Sequence, residues 1–359
     1  MDRPGRAGLR GMTVRIAQVG LGYWGPNLAR NLAAVEGGEL TVLCDNDRSR
    51  LERMGRQIPG ARQVTEFEAV LDDESVDAVV LATPVETHYP LARQTLEAGK
   101  HVLIEKPLAR TSAECEDLIR LADARDLRLM VGHVFIYNAA VQRVKEYIDS
   151  GELGEIYYAY SQRLNLGQLR SDVNAMWNFA PHDLSILCHW LNAEPSRVMA
   201  SGHSYIQPGI EDVVFLNLEF PGEVGAHVHI SWLDPLKVRR MTVVGSEKMV
   251  VYDDVSADAK IMLYDKGVTK QLNDGSGASL GSYRTFGEFQ LLLRAGDVVI
   301  PKVEFTEPLK LECQHFVDCI RSGQTPRTDG RQGLQVVRAL EAADRSLASR
   351  RAEPTRIVA

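Results

Sequence analysis

After twelve residues the chain turns apolar and β-branched over Val14–Val19 (VRIAQV), a run that reads as a buried strand. Apolar positions then recur at helical spacing through Leu28, Leu32 and Val35, stopped by Gly37-Gly38, and residues 40–44 (LTVLC) form the next strand. Similar runs predict strands at 76–82, 100–105 and 128–131, with one helix ending at Gly99 and another over Ser112–Ala124. Near-continuous apolar strands alternating with helices predict a parallel sheet covered on both faces. Beyond residue 137 the pattern changes. A short helix at 138–148, closed by Ser150-Gly151, leads to a strand at 156–164, and six further strand-like runs follow from 197 to 264. Those six have no helix between them, which points to an antiparallel sheet. Within 224–232, Val224, Ala226, Val228 and Ile230 alternate with Gly225, His227, His229 and Ser231, the mark of a sheet with two unlike faces. Two amphipathic helices close the pattern, Pro308–Ser322 with its stop at Gly323 and a second from Asp329 to about Ser349; Thr355–Val358 adds a candidate edge strand.

Candidate chemistry lies where these elements meet. Gly20-Leu21-Gly22-Tyr23-Trp24-Gly25 joins the first strand to the first helix, and Asp45 ends the second strand at the ~20-residue spacing of a dinucleotide fingerprint. Gly20 suits the tight turn, Gly22 the approach of a pyrophosphate to backbone N–H groups, and Gly25 the contact of helix with strand. A carboxylate at Asp45 would accept ribose hydroxyls and repel a 2′-phosphate, favouring NAD over NADP, a preference tempered by Arg48. Thr83, His88, Lys106 and His133 all fall at or just after carboxyl ends of parallel strands, where ligands of such sheets bind. Pro107 admits a cis peptide after Lys106, and Pro181 suits a first helical turn, which would leave His182 at an exposed helix end with Leu184, Leu187 and Leu191 facing the core.

Composition narrows the class. The 359 residues, 45% hydrophobic and 25% charged, suffice for about two domains with ordinary cores. Forty-one basic against 48 acidic residues, with no basic stripe, exclude a nucleic-acid footprint. No apolar run reaches the ~20 residues of a membrane span, and the opening MDRPGRAGLRGM lacks the apolar stretch of a signal peptide, so residues 1–12 read as a loose extension. Five scattered cysteines without a CxxC read as reduced, mostly buried thiols of a cytoplasmic protein. His227 and His229 share a strand face, but without a third ligand no metal site is expected; His189 is read as core or interface.

The stretch TPVETHYPLARQTLEAGKHVLIEKPLA, taken with GLGYWG and Asp45, resembles the signature of the Gfo/Idh/MocA oxidoreductases over nearly the whole chain from Thr13 on. The resemblance implies an α/β protein: an N-terminal Rossmann dinucleotide-binding domain (13–133) and a C-terminal α/β domain (134–359) with a large open-faced, mostly antiparallel sheet, usually the face on which dimers or tetramers form. It implies NAD as cofactor, held by Gly20, Gly22, Tyr23, Trp24, Gly25, Asp45, Thr83, Pro84, His88, Glu105 and Lys106. It makes Lys106, the lysine of Glu-Lys-Pro, catalytic, with His182 as acid–base partner. The family's usual Asp, four residues before that histidine, is Asn178 here; Asn cannot take a proton, so it is assigned to positioning. Asp183 has a tempting carboxyl but stands outside the motif's register, as a helix-start carboxylate.

Lys106, Tyr137, Arg163, Asn165, Arg170, Asn178 and His182 are the expected substrate contacts; Arg163, Asn165 and Arg170 belong to a polar stretch that also holds Gln168, Asp172 and Asn174. Residues 165–186 look most like the nucleotide-sugar branch, of UDP-N-acetylglucosaminuronate 3-dehydrogenase type. That implies oxidation, or reversible reduction, of a secondary sugar hydroxyl, at C3 of the nucleotide sugar. An inositol or free-sugar dehydrogenase, an NADPH-dependent 3-ketosugar reductase, a redox-neutral enzyme that recycles its NAD and a non-catalytic NAD-binding sensor stay open. Asn273–Gly287, rich in Gly and Ser, is read as a mobile loop.

Overall fold

A computed structural model describes residues 13–167, 169–268 and 293–352. Residues 1–12, Gln168, the 273–287 segment and 355–358 lie outside the described residues. Contacts divide the chain into two units: residues up to Asn138 with Thr306–Glu341, and Ala139–Phe305 with the residues from Ala342. The split at 133 read from the sequence is therefore corrected in one respect, since the segment from 306 to 341 belongs with the first unit. Its apolar stripes supply that unit's core, with Leu334 and Val337 buried among the strand residues of the parallel sheet.

The first unit is built on β1 (Val14–Val19), β2 (Gly38–Cys44), β3 (Arg62–Val64), β4 (Ala78–Leu81), β5 (His101–Glu105) and β6 (Leu129–Gly132), in the order β3-β2-β1-β4-β5-β6. All five pairings are parallel, and the order reverses beside β1, the switch point at which doubly wound sheets bind ligands. The helices α1 (Gly25–Leu32), α2 (Arg48–Gln57), α3 (Glu68–Leu71), α4 (Val85–Glu97) and α5 (Ser112–Ala124) link these strands. The strand expected at 76–82 is thus the fourth, because α2, β3 and α3 precede it. They escape a periodicity reading: α2 offers only Leu51, Met54 and Gly55 to the core, and β3 is three residues, two of them exposed. A capping box between Thr111 and Glu114 starts α5 where the pattern placed it.

In the second unit α6 (Ala139–Asp149) and α7 (Ala175–Leu191) lie with an eight-stranded sheet. Its strands are β7 (Ile156–Leu166), β8 (Arg197–His203), β9 (Val213–Phe220), β10 (Val224–Ser231), β11 (Leu233–Gly245), β12 (Met249–Asp253), β13 (Ile261–Val268) and β14 (Leu293–Val299). They lie in the order β14-β13-β12-β11-β7-β10-β9-β8, antiparallel except for the parallel β7–β10 pair. The alternation in β10 holds: Ala226, Val228 and Ile230 are buried, whereas His227 and His229 lie half-buried on the other face against Phe215.

Helix α7 starts earlier than expected. Asn174 caps it, its Oδ1 accepting the Trp177 N–H at 3.0 Å, so Pro181 stands in the helix interior rather than in its first turn. An N-cap side chain nearly two turns before Pro181 outweighs the proline signal. Asp183 is likewise no helix-start carboxylate. It is buried in mid-helix, accepting the Ser161 hydroxyl at 2.5 Å and the Arg163 guanidinium at 2.6 Å, both from β7. Removing one partner of a buried pair leaves an uncompensated charge, at a cost of about 3–5 kcal/mol. Asp183→Asn and Arg163→Met should each lower unfolding stability by that order in urea titrations, and the double substitution by less than their sum.

Candidate active site

The glycine turn closes by contact. Gly20 has φ +93°, and a Cβ there would stand 2.4 Å from the Ala82 carbonyl oxygen; at Gly25 it would stand 2.4 Å from the Gly20 carbonyl oxygen. Gly22 is different, with nothing nearer to its Cβ position than Arg50 Nη1 at 3.8 Å. Two glycines knit strand to helix and the third leaves room. Among the described residues no side chain caps the start of α1, where Pro26 has no N–H and the Asn27 N–H donates to the Trp24 carbonyl at 3.0 Å, so the room at Gly22 is the space the turn offers an anion. This cradle fits a pyrophosphate. Tyr23 is almost wholly exposed and Trp24 about one-third exposed beside it.

Asp45 serves the same turn. Its Oδ2 accepts the Leu21 N–H at 2.6 Å and its Oδ1 the Asp47 N–H at 2.8 Å, and the residue is buried. A carboxylate has about four lone-pair positions, so capacity for a ribose diol remains. The nearby cation is Arg50, 3.7 Å away, and not Arg48, which is exposed on the first turn of α2. Only the register of α2, set by Asp47 at its N-cap, decides which arginine approaches.

Lys106 follows directly on β5, and its peptide bond to Pro107 is cis. Glu105, its neighbour, accepts the Lys106 N–H at 3.3 Å and a Trp24 side-chain hydrogen bond. Thr83 and Pro84 follow β4, where the Thr87 hydroxyl donates to Thr83 Oγ1 at 2.7 Å. The unit thus brings together the glycine turn, Trp24, Asp45, Thr83, Glu105 and Lys106 at one end of one sheet.

Three of the expected ligand contacts meet protein groups in this structure. His88 is buried, its ring nitrogens 2.8 Å from the Pro107 carbonyl and 2.9 Å from the Thr83 carbonyl. Burial holds its pKa below the usual imidazole value despite those carbonyls, and a neutral ring can donate to only one of them. It braces the Lys106-Pro107 turn against the end of β4. Tyr137 is buried with its hydroxyl 3.2 Å from Thr328 Oγ1 and the Arg327 guanidinium over its ring, so it supports the site from below. Arg163 is paired with Asp183 and only 5% exposed. His133, buried beside Lys106, has neither ring nitrogen hydrogen-bonded among the described residues; burial, then the Lys106 charge, lowers its pKa to about 3.

In the second unit Asn174, Asn178 and His182 recur at four-residue intervals, one above another on α7. His182 alone escapes burial between positions 180 and 188. Asn174 also donates to Glu211 Oε2 at 2.9 Å, a buried acid that sequence reasoning missed. Asn165 is half-buried at the end of β7, and exposed Arg170 is paired with Asp172. No cluster of three metal-ligating side chains occurs among the described residues, and no described helix is long and apolar enough to cross a membrane.

Fold and cradle define an NAD-binding oxidoreductase. The family model for the NAD-binding Rossmann domain of the oxidoreductase family matches residues 14–133, and that for the Gfo/Idh/MocA C-terminal domain matches 141–251. The chain belongs to the Gfo/Idh/MocA family. It is 26% identical to a scyllo-inositol 2-dehydrogenase (NAD⁺) of Bacillus subtilis over 87% of this chain and 88% of that one. It is 32% identical to inositol 2-dehydrogenase 2 of Saccharopolyspora erythraea over 61% and 67%. The UDP-N-acetylglucosamine 3-dehydrogenase of Acidithiobacillus ferrooxidans shares the fold, with a TM-score of 0.78 and 22% identity over 94% and 98% of the two chains.

Asp45→Ala should weaken NAD binding about 10-fold or more, the scale of a hydrogen bond to a charged group, and narrow the preference over NADP. Fluorescence titrations with both dinucleotides measure the two effects.

Proposed function

We propose that this protein oxidises, or in reverse reduces, a secondary hydroxyl of a sugar, with C3 of a nucleotide sugar as the finer reading. The observation that carries the reading is the position of Lys106, at the carboxyl end of a parallel strand whose sheet also bears the closed glycine cradle. Bound NAD supplies the hydride acceptor. His182 is assigned the hydroxyl proton, and the Lys106 ammonium the hydrogen bond that would stabilise growing negative charge on a reacting oxygen. Asn178, one turn before His182, orients the ring or a neighbouring hydroxyl. In the reducing direction the same groups return the proton. Glu105 and Trp24 hold the lysine's strand end, and the His88 brace fixes the turn that follows it.

The nucleotide-sugar reading is supported by the resemblance of residues 165–186 to that branch. A second reading, a free polyol such as an inositol, has its own support: Arg163 and Arg170, the two arginines among the expected substrate contacts, already carry carboxylate partners, and two similar relatives are inositol dehydrogenases. NADH formation against a panel of UDP-sugars and inositols separates the two. Lys106→Ala and His182→Ala should each lower turnover at least ~100-fold while NAD affinity survives; near-wild-type turnover in both would refute the assignment.

For the sheet face bearing Tyr158, Tyr160, Phe215, His227 and His229, with Tyr158 half exposed and the two tyrosines stacked at 6.5 Å, the reading is a homodimer or homotetramer contact. Sedimentation equilibrium should give two or four copies, and Phe215→Asp should shift the protein toward monomer.

A further inference from the structure

Helix α8 (Pro308–Ser322) turns Leu309, Cys313, Phe316, Val317 and Ile320 into the first unit's core, and Glu312 stands within that apolar stripe. It is fully buried, and neither carboxyl oxygen meets a hydrogen-bond partner among the described residues. A carboxylate so placed would be a desolvated, unpartnered charge, so the group keeps its proton. Burial, and after it repulsion from Glu105, pushes Glu312 well above the usual carboxylate range.

Glu105 differs in its surroundings. Burial raises it to about 7, but the Lys106 charge, the Lys106 N–H and Trp24 oppose that rise, so its carboxylate has partners. Its carboxyl lies against Gly132, its register partner on β6, where a Cβ would come within 3.1 Å of both oxygens. The other groups around the two acids are Tyr137 after β6 and Cys313 on α8, with His133 beside Lys106. All three hold their neutral forms near neutrality, His133 by its lowered pKa, the other two by raised ones. The Arg30–Glu307 ion pair, joining α1 to the residue before α8, acts only on Cys313.

We propose that Glu312 is a positioning residue: a carboxylic acid, protonated at neutral pH, that limits the Glu105–Glu312 pair to one negative charge and reserves that charge for Lys106. The claim rests on reading Lys106 as the catalytic lysine. Above about pH 7 Glu105 releases its proton to solvent and faces the Lys106 ammonium as a carboxylate, while Glu312 remains an acid beneath it. Two like charges in one buried site cannot both form, and only Glu105 has donors to receive one.

Infrared spectra of the full-length protein, with glutamate carboxyls labelled with carbon-13, test this without turnover. At about pH 8, well above an ordinary glutamate, the wild type should show a protonated-carboxyl band that Glu312→Gln removes. In Glu105→Gln the same band should titrate away at least about one pH unit lower, the scale set by one nearby charge. Lys106→Met should raise the Glu105 ionisation by a similar amount. Absence of the band in wild type, its survival in Glu312→Gln, or its indifference to Glu105→Gln would overturn the proposal. Because Glu105→Gln reads Glu312 directly, the test stands even where Glu312→Gln does not fold. The proton band and the turnover of Lys106→Ala are separate measurements, so this inference and the proposed reaction can fail independently.

Discussion

Where Gly20 meets Ala82, the first unit has no space for a side chain. That close approach sets the exit of β1, aims the start of α1 away from the sheet, and brings the turn within reach of the Asp45 carboxylate. A helix start without a side-chain cap is ordinarily a weakness. Here it lies at the switch point of the sheet beside the room left at Gly22, so the contact that forbids a Cβ also shapes the turn that would face an anion. Gly25 repeats the constraint against the Gly20 carbonyl, and the turn has no alternative path.

Buried charge is the second organising theme, and each unit handles it in its own way. In the second unit Asp183 is fully paired with Ser161 and Arg163, which ties α7 to β7 and leaves His182 as the polar residue that emerges from a buried stretch. Such a pair adds little net stability over an apolar isostere, yet it fixes the helix's rotation, because any other rotation strands the charges. The first unit places acids beside Lys106 without full pairing. Glu105 has donors and Glu312 has none, and the asymmetry assigns one the charge and the other the proton. The His88 ring, held between two carbonyls, gives the same strand end mechanical support.

Much of this was legible in one dimension. Strand β1, helix α5 and helix α8 have the limits their patterns announce, because each carries a strong apolar period and a clear stop or cap. The fingerprint was legible because glycine has one physical reason to be at each of its three places. Helix α2 and strand β3 were not, since a short element with two or three core contacts has almost no periodic signal. Pro181 misled for a related reason: it marks a helix start only when no better cap lies upstream, and Asn174 is such a cap.

The chain's order of residues dictates its class, its two kinds of sheet and the chemical groups at strand ends, because periodicity and glycine spacing are local properties. It could not say which polar groups face a ligand and which face each other. Arg163, Tyr137 and His88 have the chemistry of binding residues, and each is taken up by a partner 20 or more positions away or by a carbonyl from another turn. Glu312 was written into an apolar stripe in plain view, yet its meaning depends on Glu105, some two hundred residues away in the chain. Pairing of that kind is settled by three-dimensional proximity and by the energy of charge in a dry interior, and neither is a property of neighbouring letters.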